Sequence, residues 1–189
     1  IFLDEDGPYH SDFSTFGIRP FVTAKKYYPV VDDGLNHIAK ILKLKILIAA
    51  HPRSKYKNKK IKYQNIIKEN ETFELIKYSS VVVAHASTSI QWAVIMKKPI
   101  IFVITDEIKN AIYARNYKRS IFEFAKTLGK EVINLSDIDN IKDWNNLLRV
   151  DKDKYNKYIK NYIKLESSPN KPLWEIVIQK IHHDLFSIS

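Results

Sequence analysis

Five short, continuously apolar runs constrain the fold of this chain more than any other feature of its sequence. The runs are IFLD (1–4), KILIAAH (45–51), SVVVAH (80–85), PIIFVI (99–104) and EVINL (131–135). Because their apolar residues are contiguous rather than alternating, they are typical of parallel strands that are covered on both faces. They predict a parallel sheet of about five strands.

The segments between these runs have the residue spacing of helices. Helices are predicted at residues 31–43, 72–79, 87–98 and 106–129. Strands that alternate with helices indicate an α/β fold, here a Rossmann-like sheet with helices on both faces. Residues 1–150 are expected to form this domain. Residues 151–189 are expected to form C-terminal helices that pack on it or on a missing N-terminal domain.

The composition bounds the possible functions. The chain has 189 residues and no cysteine, which excludes disulfides, thiolate zinc sites and a cysteine nucleophile. No apolar run is long enough to span a bilayer. We expect a cytoplasmic protein, with the inner face of the membrane as a possible location. Because residue 1 already lies in an apolar run, we also expect the C-terminal part of a longer polypeptide.

The formal net charge of +10 favours a polyanion, a nucleotide or an anionic membrane as partner. Lysines scattered over a solvated surface explain most of this charge equally well. The exception is RSKYKNKKIKY, residues 53–63, where the positive charges are concentrated. The aromatic residues of the chain look buried rather than exposed in the manner of a nucleic-acid platform, so no nucleic-acid partner is expected.

Polar residues follow three of the predicted strands at the point where each strand ends. These residues are DEDG (4–7), HPR (51–53) and HASTS (85–89). Ligands of open parallel sheets bind at the carboxyl ends of the strands. The three turns are therefore the candidate functional site.

The HASTS turn opens a predicted helix, and unpaired backbone N–H groups at a helix start favour anions. We predict that His85, Ser87, Thr88 and Ser89 bind a phosphate. The alternative is that Ser87 or Thr88 is only a helix cap.

His51 and Arg53 flank a proline that fixes the backbone between them. Arginine binds phosphate or carboxylate through paired hydrogen bonds, and an imidazole stabilises or protonates a leaving phosphate. The alternative for His51 is a simple hydrogen bond to a loop carbonyl.

The acidic turn supplies candidates for a general base, Asp6 or Asp4, that takes a proton from an acceptor hydroxyl. A metal site or a solvated turn before Gly7 are the alternatives. His10 and Asp12 lie in the same loop and are weaker candidates. The six histidines show no zinc-type spacing, and we expect no metal.

The ordered set DEDG, HP and HASTS resembles the acidic-Gly, His-Pro and Ser/Thr motifs of bacterial sialyltransferases of GT-B architecture. The stretch FELIKYSSVVVAHASTSIQWAVIMKKPIIFV, residues 73–103, is similar to the C-terminal donor-binding half of enzymes of capsule and lipopolysaccharide synthesis. The resemblance covers residues 1 to 105. In many of these sialyltransferases the acidic motif belongs to the other domain, whereas here it lies in the same domain as His51.

The resemblance implies a metal-independent glycosyltransferase that uses a CMP-, CDP- or UDP-linked donor and a glycan or glycolipid acceptor, with no separate cofactor. It implies Asp6 or Asp4 as base, His51 as acid or phosphate partner, and Ser87, Thr88 and Ser89 as phosphate ligands. A similar pattern in CDP-glycerol polymerases leaves a CDP-polyol phosphotransferase open. A nucleotide-sugar epimerase and a non-enzymatic nucleic-acid-binding domain are further alternatives. We expect this chain alone to bind its donor without appreciable turnover.

Overall fold

The computed structural model describes residues 1–186 and confirms the predicted parallel α/β fold. Six strands form one all-parallel sheet in the order β3-β2-β1-β4-β5-β6. They are β1 (Phe2–Leu3), β2 (Leu47–Ala49), β3 (Ile66–Lys68), β4 (Val82–Ala84), β5 (Ile100–Ile104) and β6 (Val132–Asn134). This is the order of a Rossmann-like sheet, in which the direction of winding reverses between β1 and β4.

Helices connect and follow the strands. They are α1 (Ser11–Thr15), α2 (Ala24–Leu42), α3 (Thr72–Tyr78), α4 (Ile90–Ile95), α5 (Asp106–Asn110), α6 (Arg115–Thr127), α7 (Trp144–Leu148), α8 (Lys152–Tyr158) and α9 (Leu173–Phe186). Short 3-10 turns and one π-helical turn complete the connections.

Alternate residues of the central strands enter two separate apolar clusters, one on each face of the sheet. On β1, Phe2 packs with α2 on one face and Leu3 packs with α3 and α4 on the other. On β4, Val83 belongs to the first cluster, and its neighbours belong to the second. The sheet is therefore covered on both faces, which explains why its strands are contiguous apolar runs.

The sixth strand, β3, was not among the predicted strands. Ile66 is 63% exposed, and the residues before and after the strand are polar. This edge strand therefore lacks the contiguous apolar run by which the other strands were predicted. The predicted start of α2 at residue 31 was also wrong. The helix begins at Ala24 and includes Pro29, because the preceding Tyr27 and Tyr28 are buried and hold the first turns in place.

The single helix predicted at 106–129 is interrupted. It forms α5 and α6, with an extended backbone at Ala111 and a 3-10 turn between them. Ile108 of α5 and Ile121 of α6 pack in one apolar cluster, whereas Ala125 of α6 packs in the other. The connection therefore contacts both apolar clusters, and α6 does so by itself.

The C-terminal segment divides into two parts. On α8, Tyr155 and Tyr158 are buried against the sheet, and the Tyr155 hydroxyl donates to the backbone oxygen of Lys98 at 3.1 Å. On α9, by contrast, no residue is buried. Residues 187–189 of the predicted segment lie outside the described part. Within that part, no helix is long and apolar enough to cross a membrane.

We expect Gly34→Val to destabilise the fold. A Cβ atom at Gly34, on the buried side of α2, would lie 2.8 Å from Cδ2 of Leu135 and 3.1 Å from its Cβ. The overpacking should cost about 1–3 kcal/mol of the free energy of unfolding. Urea unfolding measures this loss. The matched change Asn36→Val, at an exposed position of the same helix, should shift stability by less than about 0.5 kcal/mol. Equal stabilities of the two variants would contradict the close contact.

Candidate active site

The structure brings the three predicted turns together at the carboxyl edge of the sheet. Residues 4–7 follow β1, residues 51–53 follow β2 and residues 85–89 follow β4. Because β1 lies between β2 and β4, its acidic turn is flanked by the other two. Strands are spaced by about 4.8 Å, so the outer turns are roughly 10 Å apart. This edge includes the switch point between β1 and β4, where Rossmann-like sheets bind ligands.

Asp4 is a buried hub of hydrogen bonds, and only 3% of it is exposed. Its carboxylate accepts hydrogen bonds from the hydroxyls of Tyr56 and Tyr63, the second at 2.8 Å. The backbone N–H of His51 donates to the same carboxylate at 3.5 Å. Burial raises the pKa of Asp4, and the tyrosine hydroxyls oppose this rise. Asp4 therefore ties the end of β1 to the His-Pro-Arg turn and to the loop before β3.

Asp6 is also buried, with 4% of the residue exposed. Its carboxylate forms an ion pair with Lys59 and accepts a hydrogen bond from the Tyr28 hydroxyl at 3.3 Å. The Lys59 ammonium also lies 3.9 Å from the centre of the Tyr56 ring. The backbone of Asp6 has φ of +52°, a left-handed conformation that aspartate tolerates.

This arrangement does not support Asp4 or Asp6 as the general base. Each carboxylate is almost inaccessible and is already hydrogen-bonded or ion-paired within the protein. A general base must come within hydrogen-bond reach of the substrate proton. The two aspartates instead hold the surrounding turns in place.

Glu5 is the carboxylate that the sequence analysis did not single out. It lies between the two aspartates but is only partly buried. Its Oε1 accepts a hydrogen bond from the backbone N–H of Ala86 at 2.7 Å, across the switch point. Burial raises the pKa of Glu5 to about 7. A carboxyl group with this pKa is suited to acid–base chemistry near neutral pH.

His51 is partly exposed at the mouth of the site. Its Nδ1 accepts a hydrogen bond from the backbone N–H of Arg53 at 3.3 Å, so the neutral ring carries its proton on Nε2. Burial lowers the pKa of His51, and the charges of His10 and Arg53 lower it further. Arg53 is exposed, and its guanidinium forms an ion pair with Asp12 at 3.1 Å.

His85 does not fit the predicted phosphate-binding role. The residue is fully buried, with Nδ1 2.7 Å from the backbone oxygen of Val103 and Nε2 2.9 Å from the Tyr27 hydroxyl. Burial lowers its pKa to about 4, so the ring is neutral over the physiological range. His85 therefore holds α2 against β5 and leaves no ring nitrogen for a ligand.

The hydroxyl turn is accessible, but the helix that follows it is short. Thr88 is exposed, and Ser87 and Ser89 are partly buried. The Ser87 hydroxyl accepts a hydrogen bond from the backbone N–H of Ser89 at 3.3 Å, but the residue that caps α4 is Ser89, whose side chain makes no capping hydrogen bond. α4 has six residues and begins only at Ile90. Any phosphate site here therefore depends on the hydroxyls and turn amides more than on a helix dipole.

A groove with a volume of about 730 Å³ opens at the carboxyl end of β5, and its lining does not include residues of the three turns. Its walls are formed by residues of α2, of the segment before it, of α5 and of the turn after β6. The lining includes Phe21, Lys25, Lys26, Tyr27, Thr105, Asp106, Glu107, Asn110 and Ser136. Tyr27 connects the groove to the turns, because its hydroxyl contacts His85 directly before the hydroxyl turn.

The tyrosines around the acidic turn are further site residues that sequence reasoning missed. Tyr27, Tyr28, Tyr56 and Tyr63 pack edge-to-face or tilted against one another, with ring centres 4.6–6.4 Å apart. Two of them, Tyr56 and Tyr63, lie among the lysines of the basic stretch and are nevertheless buried. The sequence feature that could have indicated them is the concentration of tyrosines at 27, 28, 56 and 63, because a solvated loop does not need large aromatic side chains.

Within residues 1–186, no group of three or more histidine, aspartate or glutamate side chains is placed to hold a metal ion. Comparisons of the chain with protein-family models, curated proteins and solved structures found no match. The resemblance to bacterial sialyltransferases therefore depends on the three motifs and their common edge of the sheet.

We expect Glu5→Gln to change how stability depends on pH. With its pKa raised from 4.5 to about 7, Glu5 keeps its proton in the folded state after the unfolded chain has released it. Between these two pH values the wild type should therefore lose stability as pH rises, by on the order of 2–3 kcal/mol from this group. Glutamine does not titrate, so the stability of the variant relative to the wild type should increase over that range.

Urea unfolding of both proteins from pH 4 to 8 tests this expectation. His85, with its lowered pKa, contributes the opposite slope, but it does so equally in both proteins and cancels in the difference. Parallel stability profiles would show that Glu5 titrates normally in the folded protein.

Proposed function

We propose that the protein is a glycosyltransferase, sialyltransferase-like, that transfers a sugar from a nucleotide-activated donor to a bacterial surface glycan. The observation that carries the proposal is the meeting of the acidic, His-Pro-Arg and hydroxyl turns at one edge of a Rossmann-like sheet. The motifs are each weak alone, but their order along the chain and their positions on neighbouring strands agree with the resemblance.

The proposed chemistry uses Glu5 as the base in place of Asp4 or Asp6. An acceptor hydroxyl gives its proton to Glu5 as its oxygen bonds to the anomeric carbon of the donor sugar. The bond from that carbon to the phosphate oxygen breaks, and the nucleotide leaves with the bonding electrons. The Nε2–H of His51 donates to the departing phosphate. The raised pKa of Glu5 suits proton uptake near neutral pH.

The donor phosphate would lie between the two outer turns. His51 and Arg53 approach it from the end of β2, and Ser87, Thr88 and Ser89 from the end of β4. We place the nucleoside in the adjoining groove, where Phe21 and Tyr27 offer aromatic surface and Asp106 and Glu107 offer acceptors for hydroxyl groups.

The sheet corresponds in this proposal to the donor-binding half of a GT-B architecture. A second domain would supply the acceptor site, so that the described residues bind donor without appreciable turnover. The concentrated positive charge of residues 53–63 would attract an anionic donor or acceptor to this edge.

A CDP-polyol phosphotransferase of teichoic-acid type is the second candidate. The argument in its favour is that none of the contacts assigned above addresses the sugar that would be transferred. Binding of a CDP-polyol together with no binding of nucleotide-sugars would favour it.

Calorimetric titration of CMP, CDP, UDP and GDP into the wild type and His51→Ala tests the proposal. We expect saturable binding of one nucleotide. The substitution should weaken it at least about tenfold, because a charge-assisted hydrogen bond contributes about 1.5–3 kcal/mol.

Lys164→Ala, an exposed change on the turn after α8, serves as the matched control and should leave the affinity unchanged. A folded wild type that binds none of the four nucleotides would contradict the proposal, as would equal affinity in His51→Ala. Strong salt-dependent binding of DNA or RNA would favour a nucleic-acid-binding domain instead.

A further inference from the structure

A second imidazole lies beside His51. The ring centres of His10 and His51 are 4.8 Å apart, although the two residues belong to turns that follow different strands. His10 caps α1, and its Nδ1 accepts a hydrogen bond from the backbone N–H of Asp12 at 3.2 Å. The function proposed above does not use this residue.

The two histidines are held in the same way. Each Nδ1 accepts from the backbone N–H two residues later, Asp12 in one turn and Arg53 in the other, at 3.2 and 3.3 Å. In a neutral imidazole, an accepting Nδ1 leaves the proton on Nε2. Both rings therefore present an Nε2–H donor, and neither needs to take up a proton to bind an anion.

The two turns are also fixed to each other. The guanidinium of Arg53 contacts Oδ1 of Asp12 at 3.1 Å. This ion pair joins the residues that lie two positions after His51 and His10. This ion pair offsets the charge of Asp12, whose Oδ2 lies 3.6 Å from Nδ1 of His10. The buried Asp6 is paired with Lys59. The negative charges of Asp12 and Asp6 are therefore offset by Arg53 and Lys59, which reduces their repulsion of an anion at the two Nε2–H donors.

His10 is accessible to a ligand. Its side chain is 22% exposed and lines a cavity of about 350 Å³ together with Pro8, Tyr9, Phe13 and Ile18. The adjacent His51 is likewise partly exposed. A phosphate group can accept hydrogen bonds of about 2.9 Å on different oxygens, so one phosphate can span two neighbouring imidazoles.

We propose that His10 is a second phosphate-binding residue of the site, and that its Nε2–H acts with that of His51 on the donor phosphate. The inference deepens the proposed function and rests on it. It extends the site from the His-Pro-Arg turn to the loop between β1 and α1.

Two substitutions separate this role from simple helix capping. In His10→Asn the side-chain oxygen takes the place of Nδ1 and keeps the cap, but the Nε2–H is lost. In His10→Gln the amide N–H₂ reaches the position of Nε2, but the cap is lost. Calorimetric titration of each variant with the best-binding nucleotide among CMP, CDP and UDP, and with its nucleoside, provides the measurement.

We expect His10→Asn to weaken nucleotide binding about tenfold and His10→Gln to remain within about threefold of the wild type. Nucleoside affinity should be equal in all proteins, because it involves no phosphate. His37→Asn is the matched control, since its imidazole contacts Asp139, 3.3 Å away, and not the strand-end turns. Near-ultraviolet circular dichroism verifies that each variant is folded.

The outcomes are distinguishable. Wild-type-like binding by His10→Asn, or a loss in His10→Gln that equals or exceeds that in His10→Asn, would overturn the role of His10 while leaving the nucleotide site intact. Equal losses for the nucleoside and the nucleotide would overturn the phosphate contact. A wild type that binds no nucleotide would overturn the proposed function and this inference together.

Discussion

The hydrogen-bonded carboxylate of Asp4 is the interaction on which the candidate site depends. It connects the end of β1 to the connection between β2 and β3, where it contacts the backbone of His51 and the hydroxyls of Tyr56 and Tyr63. A buried carboxylate is stable only when its oxygens are well supplied with donors. Loss of these donors would release the loop before β3 and the His-Pro-Arg turn with it.

The three consecutive acidic residues consequently have different tasks. Asp4 organises the neighbouring turns, and Asp6 is ion-paired with Lys59 beneath the same loop. Glu5 points in the other direction, to Ala86 at the start of the hydroxyl turn, and keeps partial access to solvent. Burial of Glu5 raises its pKa to about 7, and the nearby charge of Asp4 adds to this rise, at the switch point where a reacting group would lie.

The sequence predicted five of the six strands, since buried parallel strands form contiguous apolar runs. It also predicted the edge of the sheet at which the candidate site lies, because the polar turns directly follow these runs. It was not sufficient for β3, whose Ile66 is exposed, or for the roles of the individual site residues. The pattern that placed His85 at a strand end did not show that both of its nitrogens would be occupied. Likewise, Asp6 and Glu5 are adjacent in sequence, and only tertiary contacts distinguish the carboxylate that is paired with Lys59 from the one that accepts from Ala86.

Backbone amide chemical shifts of the ¹⁵N-labelled protein, followed during titration with CMP, CDP and UDP, test the central claim most directly. The account predicts that one nucleotide shifts the amides of residues 51–53 and 86–89 most strongly, with smaller changes at Glu5. Shifts confined to the basic residues 57–62, or equal shifts with any polyanion, would contradict a donor site at the junction of β1, β2 and β4.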